Sequence, residues 1–477
     1  LDDHPYSDHL TDKYRDERDY IASDRGTFWS KWLARNPYYN NTKIRVLEGE
    51  PGTPYADMES RTYIIDSIDG PDSRGRVTIN AKDVLKLADN DRAQAPDASP
   101  GELIVDYADD VGISELRITR AVASDYPAPG TVRVNDELMT YSGVTTISDT
   151  EIRLTGITRS TDGTEQGSHD AGDRVQRCLR YTDVRVDQLA HEWLTEYGDV
   201  PAAFIPLADW EAEANIWLEQ FRVSGLVTEP TGVTDLLGEI TEQCLFYIWW
   251  DERDQEIKLK ALRPAFEDPV KLINDSQHVL ADSIQLDTKP RERISQVWVF
   301  WDRRDPTEKL DEDKNYRRVR IRADLDAESD TQYGEQKIKK IYSRWLGSDA
   351  QAIQSAVRIL TRFRDTPEYL TFELDYKDRD LWTTDLADVT LDNIVDDTGA
   401  AEAARWQVLS VEETEPGSVL EYRLQRFEYG LRARFGYWME ADADTYSNTP
   451  EEEQIVAGFW ADDEGEMPDQ TPGYLYQ

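Results

Sequence analysis

Short runs in which apolar and polar residues alternate dominate the chain, and this pattern predicts strands. Between about residues 103 and 180 the runs recur at nearly regular spacing with turn residues between them, which is typical of a small barrel or sandwich. The clearest runs are residues 116–118, 131–134, 138–141 and 151–154. In the second half, residues 295–300 are predicted as a strand that is buried on both faces.

Apolar residues at helical spacing predict four helices. Residues 186–197 carry Val186, Leu189 and Trp193 on one face, and Gly198 is a typical stop. Residues 233–242 and 349–363 show the same spacing, and residues 81–87 predict one short helix. Two hairpins are also expected, one between 245–250 and 256–262 and one between 405–412 and 419–427.

These elements predict a mainly β fold with α+β elements, in which several small β-barrel or sandwich modules are linked by short helices. A chain of 477 residues is too long for one hydrophobic core. We therefore predict an N-terminal segment at 1–102, a small inserted β module at 103–180, an α+β domain at 181–290, a C-terminal β-barrel-like domain with one helix at 291–430, and an acidic extended tail at 431–477.

The charge of the chain is its most unusual bulk property. There are 96 acidic and 54 basic residues, which gives a net charge of −42. Such a chain repels nucleic acid and anionic membrane surfaces. Two interpretations stay open at this point: adaptation to high salt or a GC-rich genome, and an acidic channel wall past which DNA slides without binding.

Cysteine content and hydropathy exclude several classes of protein. The chain has 2 cysteines, which is too few for a disulfide framework or a four-cysteine metal site. No apolar run is long enough to span a bilayer, and no signal peptide is visible. Because the sequence begins at Leu1 in a charged segment, we expect it to be a fragment or a processed form of a longer protein.

No catalytic motif emerges from the sequence. It contains no phosphate-binding loop, dinucleotide fingerprint, zinc-protease helix or nucleophile elbow, and its 5 histidines have no metal-ligand spacing. Residues 302–313 lack the central glycine of a calcium loop. We therefore expect no cofactor, no metal and no catalytic residues, although weak calcium sites stay open.

Two weaker hypotheses about chemistry concern charged clusters. A glycosidase-type acid pair could be drawn from Asp375, Asp378 and Asp380, but nothing distinguishes these carboxylates from the many others. Residues 317–322 place Arg318, Arg320 and Arg322 on one face of a strand. Pairing with the surplus of acidic side chains is the simpler interpretation of these arginines, and contact with phosphates is the alternative.

Three stretches of the sequence resemble tail proteins of long-tailed bacteriophages. The first is residues 25–32 (RGTFWSKW) with 34–39 (ARNPYY), and the second is 68–79 (IDGPDSRGRVTI) with 81–89 (AKDVLKLAD). The third comprises 134–143 (VNDELMTYSG), 156–159 (GITR), 163–164 (GT) and 169–175 (HDAGDRV). Together with the order of elements in the C-terminal half, the resemblance extends from about residue 20 to about residue 430.

The third stretch is the most specific, because it is similar to a small β module of phage tail proteins. Its structural motif residues in this chain are Arg159, Gly163, Thr164, His169, Gly172 and Val175. Ser160 departs from the module, which usually has glycine at that position. The two glycines are expected in turns with positive φ, and Arg159 and His169 are expected to be buried hydrogen-bond donors that join turns.

The resemblance implies a structural hub protein of a tail tip or baseplate, without enzymatic activity and located in the virion. It implies a homotrimer that closes the tail tube and contacts the distal tail protein, the tape-measure protein and tail fibre or tip attachment proteins. DNA would pass through an acidic channel during ejection without specific binding.

Two other classes of function stay open. A tail-associated cell-wall hydrolase would need a cleft with two carboxylates of different pKa. A receptor-binding or carbohydrate-binding tail protein would use exposed aromatic residues, for which Trp438, Trp460 and Tyr474 are the candidates.

Overall fold

The computed structural model describes residues 26–49, 51–109, 112–263, 269–328, 334–395, 398–415, 417–427, 445–450, 458–460, 466–467, 470 and 473–476. The chain divides into two compact units. Unit 1 consists of Leu1–Glu242, Phe246–Ala261 and Asp305–Glu308, and unit 2 consists of Gln243–Leu245, Leu262–Arg304 and Lys309–Gln477. The division into five segments predicted from the sequence stays a prediction.

A small three-stranded sheet and one helix form the first part of unit 1 that the structure describes. Strands β1 (Lys43–Glu48), β2 (Glu59–Asp69) and β3 (Thr78–Lys82) are antiparallel in that order. Helix α1 (Phe28–Arg35) places Trp29, Trp32 and Leu33 against the buried Ile65, Ile68 and Val77 of this sheet region. This apolar contact explains why α1 forms where the sequence has few other helix signals.

The centre of unit 1 is a two-sheet sandwich. One sheet has the order β5 (Glu102–Leu103), β6 (Glu115–Thr119), β10 (Glu151–Thr155), β9 (Gly143–Ser148). The other has the order β12 (Arg222–Val227), β11 (Val175–Arg185), β7 (Gly130–Val134), β8 (Glu137–Tyr141). Their inner faces share one hydrophobic cluster, which includes Leu116, Ile118, Val132 and Ile152.

The remaining elements of unit 1 are mostly helical. Helix α2 (Val186–Glu192) continues as a π-helical turn over Trp193–Tyr197 before Gly198, and α3 (Leu207–Trp217) and α4 (Val233–Cys244) follow. Strands β4 (Gln94–Ala95) and β13 (Thr231–Gly232) form a short pair. Strands β14 (Phe246–Asp251) and β15 (Glu256–Ala261) form the hairpin that the sequence predicted.

Unit 2 contains a six-stranded sheet. Its order is β16 (Val270–Asn274), β22 (Leu386–Val395), β23 (Ala401–Glu415), β24 (Val419–Arg426), β21 (Glu368–Asp375), β17 (Gln285–Thr288). Only the pair β16–β22 is parallel among these strands. The sheet's core includes Phe372, Leu391, Trp406 and Tyr422, and β23–β24 is the second predicted hairpin.

A second, three-stranded sheet of unit 2 has the order β19 (Tyr316–Ala323), β18 (Gln296–Arg303), β20 (Ile338–Tyr342). The short helix α5 (Leu325–Glu328) follows β19, and the long helix α6 (Asp349–Phe363) packs on β18 and β19. Ser348 caps α6 by accepting a hydrogen bond from the Gln351 N–H. Strands β25 (Gly458–Trp460) and β26 (Tyr474–Tyr476) pair near the C-terminus.

The mainly β, multidomain fold is confirmed, with two corrections. No sheet within the described residues closes into a barrel, because each ends in edge strands that have one neighbour only; alternation in a sequence does not specify closure. The helix predicted at 81–87 is wrong in its first part. Ala81 and Lys82 extend β3 beside β2, and a 3-10 helix covers Val84–Ala88.

Candidate functional site

A buried carboxylate organises the stretch of the sandwich that carries the tail-module motif. Glu137 opens β8, and the loop of residues 156–174 between β10 and β11 passes over it. The side chains of Glu137, Arg159 and His169 are 1%, 5% and 2% exposed. These three groups, which we call the Glu137 cluster, are therefore almost entirely removed from solvent.

Five donors converge on the Glu137 carboxylate. Arg159 donates from Nε to Oε1 at 2.9 Å and from Nη2 to Oε2 at 2.6 Å, which is the paired geometry that suits guanidinium and carboxylate. The backbone N–H groups of Ser160 and Gly167 donate at 3.1 and 3.0 Å. The fifth contact is from His169 Nε2, which lies 2.8 Å from Oε2.

The electrostatics of Glu137 follow from these contacts. Burial raises the pKa of this carboxyl, but the hydrogen bonds from Arg159, Gly167 and His169 favour the charged form more strongly. The net result is a pKa below its usual value of 4.5. Glu137 is therefore an ionised carboxylate whose oxygens are already occupied, which is the opposite of a general base that waits for a substrate proton.

The other motif residues join the same loop to neighbouring backbone. The Thr164 hydroxyl donates to the Thr161 carbonyl at 2.8 Å and accepts from the Leu138 N–H at 3.1 Å. His169 exchanges two backbone hydrogen bonds with Tyr107, both 2.8 Å long. Gly172 donates its N–H to Leu103, and Val175 is fully buried at the start of β11.

Five residues of the loop have left-handed backbone conformations, and two of them are the glycines of the motif. Gly163 has φ of +90° and Gly172 has φ of +98°. Ser160, where the module usually has glycine, has φ of +53°. This chain therefore adopts the left-handed turn conformation at that position even though the Cβ of serine disfavours it.

Sequence reasoning identified Arg159 and His169 but not Glu137 as a site residue. Among 96 carboxylates no single one is conspicuous. The available signal was its place in β8, directly before Leu138 and Met139, which are buried. A buried carboxylate requires a cationic partner, and the arginine of the motif is that partner.

The carboxylates considered for a glycosidase pair have structural contacts instead. Asp375 caps a 3-10 helix by accepting from the Lys377 N–H at 2.9 Å. Asp378 and Asp380 both pair with the Lys271 ammonium group, and Asp378 lies 3.3 Å from it. Two of the three are therefore neutralised by the same lysine.

The arginines of β19 are in contact with acidic or aromatic partners. Arg318 lies over the Trp301 ring at 4.9 Å and 3.6 Å from Asp302, and Arg320 pairs with Asp349. Arg322 donates to the carbonyl of Ile321 at 3.4 Å. For Arg318 and Arg320 the interpretation as partners of acidic side chains agrees with these contacts.

The remaining candidate groups are potential metal ligands, cysteine thiols and aromatic side chains. No group of three or more potential metal ligands occurs in the part of the chain that the structure describes. Both cysteines are buried, and burial raises the pKa of Cys178 to about 12. Trp438 lies outside the described residues, whereas Trp460 and Tyr474 belong to β25 and β26. No helix in the described ranges is long and apolar enough to cross a membrane.

Comparisons with known proteins give structural neighbours alone. No family model matches the chain, and no curated protein matches it. The solved structures that it resembles are phage tail proteins and related virion components. A tail protein from Neisseria meningitidis MC58 is 13% identical, with 74% of this chain and 94% of that chain covered and a TM-score of 0.30.

Two further neighbours are of the same kind. A 43 kDa tail protein of prophage MuSo2 from Shewanella oneidensis is 11% identical, with coverages of 76% and 98% and a TM-score of 0.31. A chain of a native gene transfer agent virion is 11% identical, with coverages of 82% and 84% and a TM-score of 0.35.

Replacing Glu137 tests the role of the buried pair. We expect Glu137→Gln to lower the free energy of unfolding by about 3–5 kcal/mol, because it leaves the Arg159 charge buried without its counter-ion. Asp136→Asn is the matched control, since that side chain is 90% exposed, and it should change stability by less than about 0.5 kcal/mol. Urea denaturation measures both, and equal small effects would contradict the assignment.

The same pair predicts a pH dependence. The folded-state pKa of Glu137 lies below its unfolded value, so its contribution is complete above the unfolded pKa and is lost as pH falls through the folded pKa. The stability difference between the wild type and Glu137→Gln should therefore shrink when unfolding is measured at successively lower pH below 4.5. If this stability difference grows on acidification, the direction assigned to the pKa shift of Glu137 is wrong.

Two substitutions in the loop should change the free energy of unfolding in opposite directions. Ser160→Gly should raise the free energy of unfolding by about 0.5–1 kcal/mol, because glycine adopts positive φ without cost. Gly172→Ala should lower it by about 1–2 kcal/mol through the backbone alone, since a Cβ there meets no atom within 4 Å. Thermal unfolding of the two variants measures this, and a stability change of the same sign in both would refute the explanation.

Proposed function

We propose that this chain is a structural hub protein of a phage tail tip or baseplate, that it works in the virion, and that it is not an enzyme. The observation that carries the proposal is the Glu137 cluster. The residues through which the sequence resembles a tail module satisfy one another in buried contacts. Such contacts hold a loop in place and leave no acid, base or ligand open to a substrate.

The proposal includes an assembly. The hub forms a homotrimer that closes the tail tube, and it contacts the distal tail protein, the tape-measure protein and the fibre or tip attachment proteins. The net charge of −42 supports an acidic channel wall, because DNA and carboxylates repel each other. DNA would therefore pass during ejection without binding.

The oligomeric state gives the first test. We expect sedimentation velocity of the purified chain at micromolar concentration to give a species of three copies, and negative-stain images to show a ring with a central opening. Antibody labelling of particles that carry the chain should place it at the tail end. A monodisperse monomer together with label on the capsid would contradict the proposal.

The same preparation tests the hydrolase alternative. Incubation with purified cell-wall polymers should release no new reducing ends, and Asp378→Asn should behave as the wild type in that assay. Release of reducing ends that is abolished by Asp378→Asn would replace the hub proposal by a hydrolase.

A further inference from the structure

One edge strand of the sandwich has no charged residue. Strand β9 has the sequence GVTTIS, and within the described residues it has β10 as its one neighbour. Every other edge strand of four or more residues in the described sheets carries at least one charged residue. Charged residues on an edge strand hinder its pairing with a further strand. The edge of β9 is therefore the one that is least protected against such pairing.

The residues of β9 favour an extended backbone and lie at the surface. Val144, Thr145, Thr146 and Ile147 are all β-branched, which suits a strand. The two threonines are exposed, and Ile147 is 47% exposed. The pairing with β10 has its irregularity at Ile147, close to the turn. Residues 143–146 therefore form a regular edge.

The backbone of β9 determines which kind of ligand fits this edge. In an antiparallel pair, alternate residues of an edge strand direct their N–H and C=O groups away from the sheet. No strand of the described part of the chain lies on that side of β9. A row of alternating donors and acceptors is matched by an extended polypeptide backbone. The ligand that this edge recognises is therefore a peptide segment in the strand conformation.

The charged residues of β10 pair with β6, on the side opposite to the edge. Arg153 lies 3.1 Å from Glu115, and Arg117 lies 2.6 Å from Glu151. Strand β10 lies between β6 and β9, so these ion pairs form away from the edge. A strand added to β9 would therefore meet hydroxyl and aliphatic side chains, which require no charge from the partner.

The turn end of β9 has a different character. The 3-10 turn Ala123–Asp125 lies beside β9, and Val122, directly before it, is 43% exposed. Ala121 donates its N–H to the Thr150 carbonyl, which joins this segment to the turn between β9 and β10. Asp149 in the same turn is exposed. This end of the edge therefore offers aliphatic surface and a negative charge.

We propose that β9 binds an extended segment of another polypeptide, which joins the four-stranded sheet as a fifth strand. The segment is uncharged where it lies against residues 143–147, and threonine and valine are the residues that pair best with those of β9. A lysine or arginine of the segment lies at the Asp149 end, where the charges are complementary. This inference goes beyond the proposed hub role and does not depend on the homotrimer.

A second copy of this chain is the alternative source of a strand, and two properties disfavour it. Each copy carries a net charge of −42, so two copies that approach each other over a short edge repel. A stable interface between two folded proteins buries roughly 800 Å² on each partner, whereas β9 has only six residues. A single segment need not be acidic, and main-chain hydrogen bonds provide much of its affinity.

A synthetic peptide tests the edge directly. The probe is a fluorescent peptide of sequence KTVTVTK, and its matched control has the same sequence with methyl groups on alternate backbone nitrogens. Methylation removes the donors that a strand needs, so we expect the control to bind the full chain about tenfold more weakly or less. Fluorescence anisotropy measures both affinities, and hydrogen exchange should show that the unmethylated peptide slows exchange in β9.

Two variants with the same chemical change locate the binding strand. Thr145→Lys places a positive charge on the edge and should weaken binding of the peptide by about tenfold or more. Thr78→Lys is the matched control, because Thr78 is an exposed residue of the edge strand β3 in another sheet. It should bind the peptide as the wild type does, and circular dichroism should show both variants folded.

A charge reversal tests the end of the edge. Asp149→Lys leaves residues 143–147 unchanged, so it should weaken binding of the lysine-flanked peptide most at low salt. Raising the salt concentration should reduce its difference from the wild type. A difference that does not depend on salt would contradict the assigned role of Asp149.

Three results would overturn the inference. They are the absence of binding by the unmethylated peptide, equal binding of the two peptides, and equal binding by the wild type and Thr145→Lys. If the wild type self-associates and Thr145→Lys abolishes this association, the edge binds a second copy instead. A monomeric wild type that binds the peptide through β9 would contradict the proposed homotrimer and leave this inference intact.

Discussion

Pairing between arginine and carboxylate is the interaction on which this acidic chain depends. With a net charge of −42, the folded state brings many like charges together, and buried carboxylates are tolerated only beside a cation. Glu137 with Arg159 and Asp187 with Arg185 form such buried pairs, and the partly buried Asp388 pairs with Arg405. Asp187 is fully buried and receives Arg185 on both oxygens, at 3.0 and 2.5 Å.

The choice of arginine over lysine follows from the same constraint. No lysine occurs from residue 87 to residue 257, a stretch that contains the whole sandwich. A guanidinium group presents several donors in a fixed plane, so one side chain can neutralise a carboxylate and also bind carbonyls. Arg159 does this, since it pairs with Glu137 and donates to the carbonyls of Ala108 and Gly167. A single-point ammonium group could not connect three chain segments in the same way.

The sequence predicted those parts of the fold that local patterns determine. Helix α6 covers the residues that its apolar spacing indicated, and both hairpins have the expected partners. The partners of β16 and β17 could not be predicted, because they pair with strands about one hundred residues away. The short helix was predicted too early in the sequence, at 81–87, whereas the 3-10 helix covers Val84–Ala88. The reason is that Ala81 and Lys82, despite their helical spacing, extend β3 and pair with β2.

The candidate site was predictable to a similar extent. Arg159 and His169 stand out because they belong to the stretch that resembles a module of phage tail proteins. Glu137 did not stand out, because its role depends on how the 156–174 loop folds over β8. That fold brings Arg159 and His169 to Glu137 from more than twenty residues away in the sequence. Alternation indicated that β18 is buried on both faces, whereas Trp298 is only partly buried there.

The central claim is that one buried carboxylate fixes a long loop in the interior of a structural module. Hydrogen exchange of the Ser160 and Gly167 amides measures this most directly, because both N–H groups donate to Glu137. The account predicts that these amides exchange as slowly as amides of β7 and β11. Their hydrogen bonds to the Glu137 carboxylate must break before either amide can exchange with water. Exchange of both amides at the rate of an unprotected loop would contradict it.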